Sequence, residues 1–360
     1  MHATLADLAA LVSGQVIGDP RTIIEGADTL RDARAGQITF LDSVDKEFLY
    51  RAHLKREETA AAIVVPSDFD PAPLPGIVVE DVHAAFAEIV AQFRPPWRQP
   101  EVGISPHAYI SPHAKIGENV NVHCGAMIGD DVWIGDNCTI HSGARIMAGS
   151  RIGENVTIFP NAVLYEGTNV GPFVIIHACA VIGAYGFGYN MADGRHQLSA
   201  QLGNVEIGPH VEIGSGTTVD RGTYGSTVIG EGTKIDDQVM IAHNCRIGRH
   251  NLICSQVGIA GSTTTGDYVV MAGQVGVRDH VKIGDRAVLA AMAGISQDVP
   301  AGARMLGIPA TPEREQKVKQ ALLSKLPTMR QQLKQLQQAV EELQRQSESK
   351  PESDQQRPAA

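Results

Sequence analysis

Val132-Trp133-Ile134-Gly135-Asp136-Asn137-Cys138-Thr139-Ile140-His141-Ser142-Gly143-Ala144-Arg145-Ile146 repeats its own pattern every six residues. An aliphatic side chain stands at Ile134, Ile140 and Ile146, a small or branched one follows four places later, and Gly and Asn crowd the space between. Outward from this stretch the aliphatic returns without a miss from Ile104 to Ile182, then at Ile207, Ile213 and Val219. It resumes at Ile229 and runs to Ile295 with Thr265 the only lapse. The period is neither the 2 of a half-buried strand nor the 3.6 of an amphipathic helix. Six residues make one short strand and one turn, a unit that cannot bury an apolar face alone and must stack into a solenoid. Phe, Trp and Tyr supply only 5% of the chain, as a narrow core filled by Ile, Val, Leu and Ala requires.

The pattern resembles the hexapeptide-repeat family, which implies a left-handed parallel β-helix with three hexads per triangular coil. The 29 hexads counted from Ile104 to Ile295 then make nearly ten coils, about 45 Å tall at roughly 4.8 Å per stacked strand. Residues 18 apart lie one above another, so His243, Gly261 and His280 fall on one face, and Arg221, corrected for extra residues below, stacks under His243. An imidazole base, a flexible backbone N–H and a guanidinium along one cleft suit acyl transfer from a thioester. The competing reading is a turn histidine, because the chain has 13.

The formal net charge of −10 disfavours a nucleic-acid binder, which needs a basic face for phosphates. No run of apolar residues is long enough to span a bilayer, and the opening helical stretch carries Asp7 without a basic start, unlike a signal peptide. A cytoplasmic location is expected. Five scattered cysteines, several at small-residue positions of the repeat, read as reduced core or turn residues with no zinc site.

Residues 1–100 lack the hexad and read as a small α/β domain, with helices over 5–12 and 82–93 and strands at 63–65 and 77–79. The β-helix is expected over 101–305, interrupted by a long excursion at 183–204 and by four extra residues between Val219 and Ile229. Insertions in solenoids tend to be functional loops. In 306–346, Leu322, Leu326, Met329, Leu333, Leu336, Val340 and Leu343 form a heptad seam that wants partner helices, with a kink or two helices at Pro327. Seven Lys or Arg against four Glu make this segment basic, a docking face for an acidic partner or a solvated surface. The polar tail 347–360 reads as disordered.

Gly183-Ala184-Tyr185-Gly186-Phe187-Gly188-Tyr189, Thr217-Thr218-Val219-Asp220-Arg221-Gly222 and Ile235-Asp236-Asp237-Gln238-Val239-Met240-Ile241-Ala242-His243-Asn244 resemble the UDP-3-O-(3-hydroxyacyl)glucosamine N-acyltransferase family of lipid A biosynthesis. Gly36-Gln37-Ile38-Thr39-Phe40-Leu41 is similar to the family's N-terminal uridine-binding domain, and Gly307-Ile308-Pro309-Ala310 to its exit from the β-helix. The resemblance implies His243 as general base, Asp236 as an acidic residue near it, Gly261 as oxyanion donor and His280 as a second active-site histidine. Phe40 and Tyr50 are the candidates to stack on uracil, although Asp42-Ser43-Val44-Asp45-Lys46-Glu47 replaces the family's usual continuation. Bulkier residues at Gly294 accompany shorter acyl chains in the family. It further implies a homotrimer, acyl carrier protein as donor bringing its own phosphopantetheine, a UDP-sugar acceptor, and no other cofactor or metal. The rivals are a sugar-nucleotide O-acyltransferase, a γ-class carbonic anhydrase and a non-catalytic trimeric scaffold.

Overall fold

A computed structural model describes residues 2–95, 101–306 and 313–348. It divides into two compact units, Met1–Pro100 and Glu101–Ala360. The exit segment 307–310 and the tail from 349 onward lie outside the described residues.

The larger unit is a parallel β-helix in the register of the hexad. Two-residue strands such as Trp133–Ile134 and Thr139–Ile140 each pair in parallel with the strand 18 residues on, Ile134 opposite Ile152 and Ile140 opposite Ile158. Three sheets result, of ten, nine and ten strands. The first face runs from Tyr109–Ile110 through Met240–Ile241 to Gly294–Ile295, the second from Lys115–Ile116, and the third from Asn121–Val122. The repeated aliphatics line the inside: Ile128, Ile134, Ile140 and Ile158 are wholly buried, each contributing roughly 1.5–3 kcal/mol of apolar burial.

Every coil must turn three corners in 18 residues, one to each hexad, and it does so with single left-handed residues, among them Asn119, Asn137 and Asn155 at φ 54, 57 and 56°. Asn tolerates that region through local hydrogen bonding, which explains its place in the repeat. Gly135 has another role: a Cβ there would lie 2.8 Å from the Glu154 backbone nitrogen, too close for the next coil to pack at strand spacing.

The lapse at Thr265 has a partner. Asn251, wholly buried at a position usually held by a small apolar residue, donates from Nδ2 to Thr265 Oγ1 at 2.8 Å and to the Gly266 carbonyl at 3.1 Å. Its Oδ1 accepts the Val269 N–H at 2.6 Å. Two polar side chains thus occupy the prism because they satisfy each other.

Both interruptions leave the prism continuous. The first becomes a hairpin, Tyr189–Ala192 antiparallel to Arg195–Leu198, and the second a short loop between Thr218–Asp220 and Ser226–Ile229.

In the smaller unit, Gln15–Ile17, Gly76–Val79, Ala62–Pro66, Gln37–Phe40 and Gly26–Ala27 form a five-stranded sheet in that order. Helix Val82–Phe93 is capped by the Asp81 carboxylate, which accepts the Ala84 N–H, and buries Val82, Ala85, Phe86 and Ile89.

The C-terminal segment is one helix, Glu313–Glu348, with Pro327 inside it. Of the two alternatives expected at Pro327, a kink or two helices, the second is ruled out, and the helix also runs past the expected start of the tail at 347. Its seam residues from Leu322 to Leu343 are all at least half exposed. No helix among the described residues is long and apolar enough to cross a membrane.

Candidate active site

Most histidines on the prism have a structural use. His123, His141, Phe159 and His177 stack ring on ring at 4.9, 4.8 and 5.0 Å, and His210 and His250 stack on Phe173 and Tyr268. His243 belongs to no such stack among the described residues.

It follows strand Met240–Ile241 on the first face, where the chain leaves the sheet to turn a corner. Its Nδ1 lies 2.9 Å from Asn244 Oδ1. That oxygen also accepts the Thr223 N–H at 3.1 Å and the Thr223 hydroxyl at 2.9 Å. Since the amide oxygen can only accept, the neutral imidazole holds its proton on Nδ1, which leaves the lone pair on Nε2. Asn244 sits at φ 62°, a left-handed corner that turns its side chain back onto His243.

Gly261 lies one coil above. A Cβ there would stand 2.7 Å from His243 Cε1 and 2.8 Å from Nε2, so the imidazole rests against bare backbone that any side chain would push away. The Gly261 carbonyl accepts the His280 N–H at 3.1 Å. Its own N–H has no acceptor among the described residues. A lone pair and an open donor therefore border one spot at the prism edge. The His280 side chain, on the next coil, is 72% exposed, with Nε2 4.0 Å from Asp279.

The long excursion closes over the other side of the imidazole. A Cβ at Gly186 would meet His243 Cβ at 2.7 Å and Gln201 Oε1 at 2.9 Å. Arg221 lies in register below His243, since Val219 pairs with Ile241, but it is only 7% exposed. Its Nε donates to the Gly183 carbonyl at 2.9 Å and its Nη2 to the Glu166 carbonyl at 2.8 Å, with Tyr185 packed on the guanidinium at 5.4 Å. The expectation of a substrate-binding Arg221 is thereby corrected to a strut that anchors the excursion.

Asp236 does not lie beside His243 within the chain. It follows strand Lys234–Ile235 on the third face, a corner away from His243, where its carboxylate accepts the N–H groups of Asp237 at 2.8 Å and Ser255 at 3.0 Å. The acid next to His243 within the chain is Asp220, which spacing did not single out. Asp220 pairs with Ala184 below at the end of strand Thr218–Asp220, beside Ala242, and is 4% exposed. Burial pushes its carboxyl up to about 6, with the nearby His243 charge opposing the shift. Its only sequence signal was the Thr-Val-Asp-Arg-Gly motif itself.

The first face above Met240 presents Gly258, Gly276 and Gly294 in pairing register. A Cβ at any of these three glycines would meet nothing within 4 Å, so an unobstructed trough rises from beside His243.

In the smaller unit, Phe40 is half-buried, with its ring 4.5 Å from Phe86 and 5.4 Å from His83. Tyr50 is a correction. It is 3% exposed within the core of Leu41, Ile63, Val65 and Phe69, its ring edges onto Phe69 and its hydroxyl donates to the Pro71 carbonyl, leaving no face for a base. The helix Glu47–His53 turns Tyr50 and His53 inward together.

The family model described as UDP-3-O-(3-hydroxymyristoyl) glucosamine N-acyltransferase matches residues 21–92. The bacterial transferase hexapeptide model matches 113–148, 149–184 and 226–261. A Rhodopirellula baltica protein named UDP-3-O-acylglucosamine N-acyltransferase is 58% identical over 89% of this chain and 82% of its own. A Syntrophobacter fumaroxidans protein of the same name is 47% identical over 95% of this chain and 94% of its own.

Proposed function

The chain belongs to the UDP-3-O-acylglucosamine N-acyltransferase family, and from that premise we propose that it moves a 3-hydroxyacyl chain from acyl carrier protein to the 2-amino group of UDP-3-O-acylglucosamine. The product is UDP-2,3-diacylglucosamine, on the way to lipid A. The observation that carries this reading is the His243 imidazole, held through Nδ1 by Asn244 and laid against Gly261.

His243 Nε2 takes a proton from the amine as its nitrogen attacks the thioester carbonyl carbon. The carbonyl oxygen gains the electron pair, and the Gly261 N–H donates to it. Collapse of this intermediate forms the amide, breaks the carbon–sulfur bond and releases the phosphopantetheine thiolate, which the imidazolium reprotonates. A thiolate leaves more readily than an amine, so collapse runs forward. The trough over Gly258, Gly276 and Gly294 takes the acyl chain, and His280 contacts the bound substrates from above. No further cofactor or metal enters these steps.

Around this centre the same reading assigns supporting parts. The smaller unit holds the uridine end, with Phe40 against the base. Three copies associate as a cytoplasmic homotrimer, and the exposed seam of Glu313–Glu348 packs between subunits. The basic residues of that helix meet the acidic carrier protein, whose phosphopantetheine arm supplies the thioester.

The test is amide formation from UDP-3-O-acylglucosamine and 3-hydroxyacyl carrier protein, with His243→Ala alongside. Turnover by wild type and its collapse in the folded variant are expected. Wild type inactive at every acyl length, or a variant that retains full turnover, overturns the reading.

A further inference from the structure

A carboxylate costs several kcal/mol to bury without a partner, and among the described residues the Asp220 side chain makes no hydrogen bond or ion pair while the residue is only 4% exposed. Among the described residues, the titratable side chains that adjoin it in sequence, pairing register or electrostatics are His243, Cys245, Arg221 and Tyr185, and the Tyr185 ring is packed on the Arg221 guanidinium. Arg221 is committed to Gly183 and Glu166. Cys245 is buried and stays a thiol, held up to about 11 by burial, to which the Asp220 charge adds. Among the described residues that leaves His243 as the group able to offset an Asp220 charge.

We infer that Asp220 is a positioning residue that acts through His243: its buried carboxylate stabilises the imidazolium that forms when the amine gives up its proton. This rests on the proposed proton transfer to His243. In the resting site the pair carries one charge, the Asp220 carboxylate. As the proton arrives on Nε2 the pair becomes neutral overall, so the low-polarity surroundings that penalise the lone carboxylate favour the charge-paired transition state. Asn244 already fixes the Nδ1 proton, so Asp220 is not needed to set the tautomer. Its contribution is electrostatic, which separates it from the hydrogen-bonded carboxylate of a serine-hydrolase triad.

An opposite charge at close range typically shifts a titration by one to three units. Asp220→Asn is therefore expected to lower kcat by about 10- to 100-fold. The KM for the sugar nucleotide should stay nearly constant, and the acid limb of the kcat/KM profile should move to lower pH. In a His243→Ala background the same substitution should change turnover little. A purely structural role would instead lower kcat with the acid limb unmoved, and that result overturns the inference, as does an unchanged kcat.

A second readout does not depend on turnover. A double-mutant cycle of Asp220→Asn and His243→Ala in thermal unfolding, run between about pH 6 and 7 where the Asp220 carboxyl is ionised, should be non-additive, and an additive cycle overturns the coupling. If wild type fails to acylate while the cycle remains non-additive, the N-acyltransferase reading has failed and the Asp220–His243 coupling has not.

Discussion

Gly261→Ala tests the site with a single methyl group. Gly261 is not in the left-handed region, so alanine meets no backbone strain there, and the substitution acts only through the atom it adds. That Cβ would stand 2.7 Å from His243 Cε1, 2.8 Å from Nε2 and 3.2 Å from Nδ1. Ordinary contact begins near 3.4 Å, so the imidazole must retreat by about 0.7 Å, against a 2.9 Å hydrogen bond to Asn244 that resists the movement. A misplacement of roughly 1 Å in a reacting group costs on the order of 100-fold in rate, while overpacking of this kind costs about 1–3 kcal/mol of stability. The expected result is a kcat reduced about 50- to 100-fold, with the KM for the sugar nucleotide little changed and a protein that still unfolds cooperatively. Gly273→Ala is the control, because its Cβ would meet only the Ser255 carbonyl at 3.6 Å, and it should behave as wild type. Steady-state amide formation and thermal unfolding of both variants provide the measurement. A Gly261→Ala enzyme retaining more than half of wild-type kcat refutes the placement of the base against Gly261.

Asn244→Gly keeps the left-handed corner but removes the oxygen that holds His243 Nδ1 and Thr223; kcat should fall about 10- to 100-fold, and an unchanged kcat in the folded variant contradicts the tautomer argument. Burial raises the Asp220 carboxyl from 3.8 to about 6, so the unfolded chain binds fewer protons between those values and stability should fall as pH rises through that window. At pH 8, Asp220→Asn should then be more stable than wild type by up to about 3 kcal/mol, with the two converging below pH 4 in pH-dependent denaturation. Asn251→Val leaves Thr265 and the Val269 N–H without their partner and should cost at least about 2 kcal/mol; adding Thr265→Val, which restores the hexad, should recover part of that loss, and strict additivity in urea titrations argues against a shared network. Gly294→Met should shorten the preferred acyl donor, and Gly276→Met should shorten it further by one rung, about 4.8 Å; acyl-length profiles that do not change place the chain elsewhere.

The period of six revealed the prism down to its inward side chains, because a solenoid repeats one environment and the sequence repeats with it. Thr265 looked like a failure of the pattern and is instead half of a buried polar pair whose other half, Asn251, sits 14 residues earlier. Stacking by 18 brought His243 and Gly261 together correctly, since both lie in unbroken coils. The same arithmetic placed Asp236 in the preceding hexad, a corner away, and resemblance rather than spacing had suggested it for the site. Arg221 was found at the right height, but period alone does not say whether a guanidinium points outward or folds back onto carbonyls. Asp220 gave no periodic signal, because it lies just past the last aliphatic before the second interruption, paired with Ala184 at the root of the excursion. Tyr50 illustrates the limit in the smaller unit: whether an aromatic faces solvent or core depends on which side its helix docks, and no repeat specifies that side.

A perfect solenoid cannot have an active site, because each rung presents the same edge as the next. Chemistry needs a rung whose neighbours differ, and here both interruptions of the hexad supply that difference at one place. The excursion that begins at Gly183 returns Gly186 and Gln201 to one side of His243. The four residues added after Val219 bring Thr223 onto Asn244 Oδ1, so the second insertion helps hold the oxygen that holds the imidazole. Arg221 links the two, leaving the coil just before that second loop and gripping the Gly183 carbonyl at the root of the first. Asp220, one residue earlier, remains buried where a regular coil would turn a corner into solvent. The regular coils above contribute what repetition does well, a straight trough of glycines at constant spacing. The rung proposed for catalysis is thus the one at which the repeat is broken twice, and its parts hold one another in place through backbone carbonyls and a shared amide oxygen.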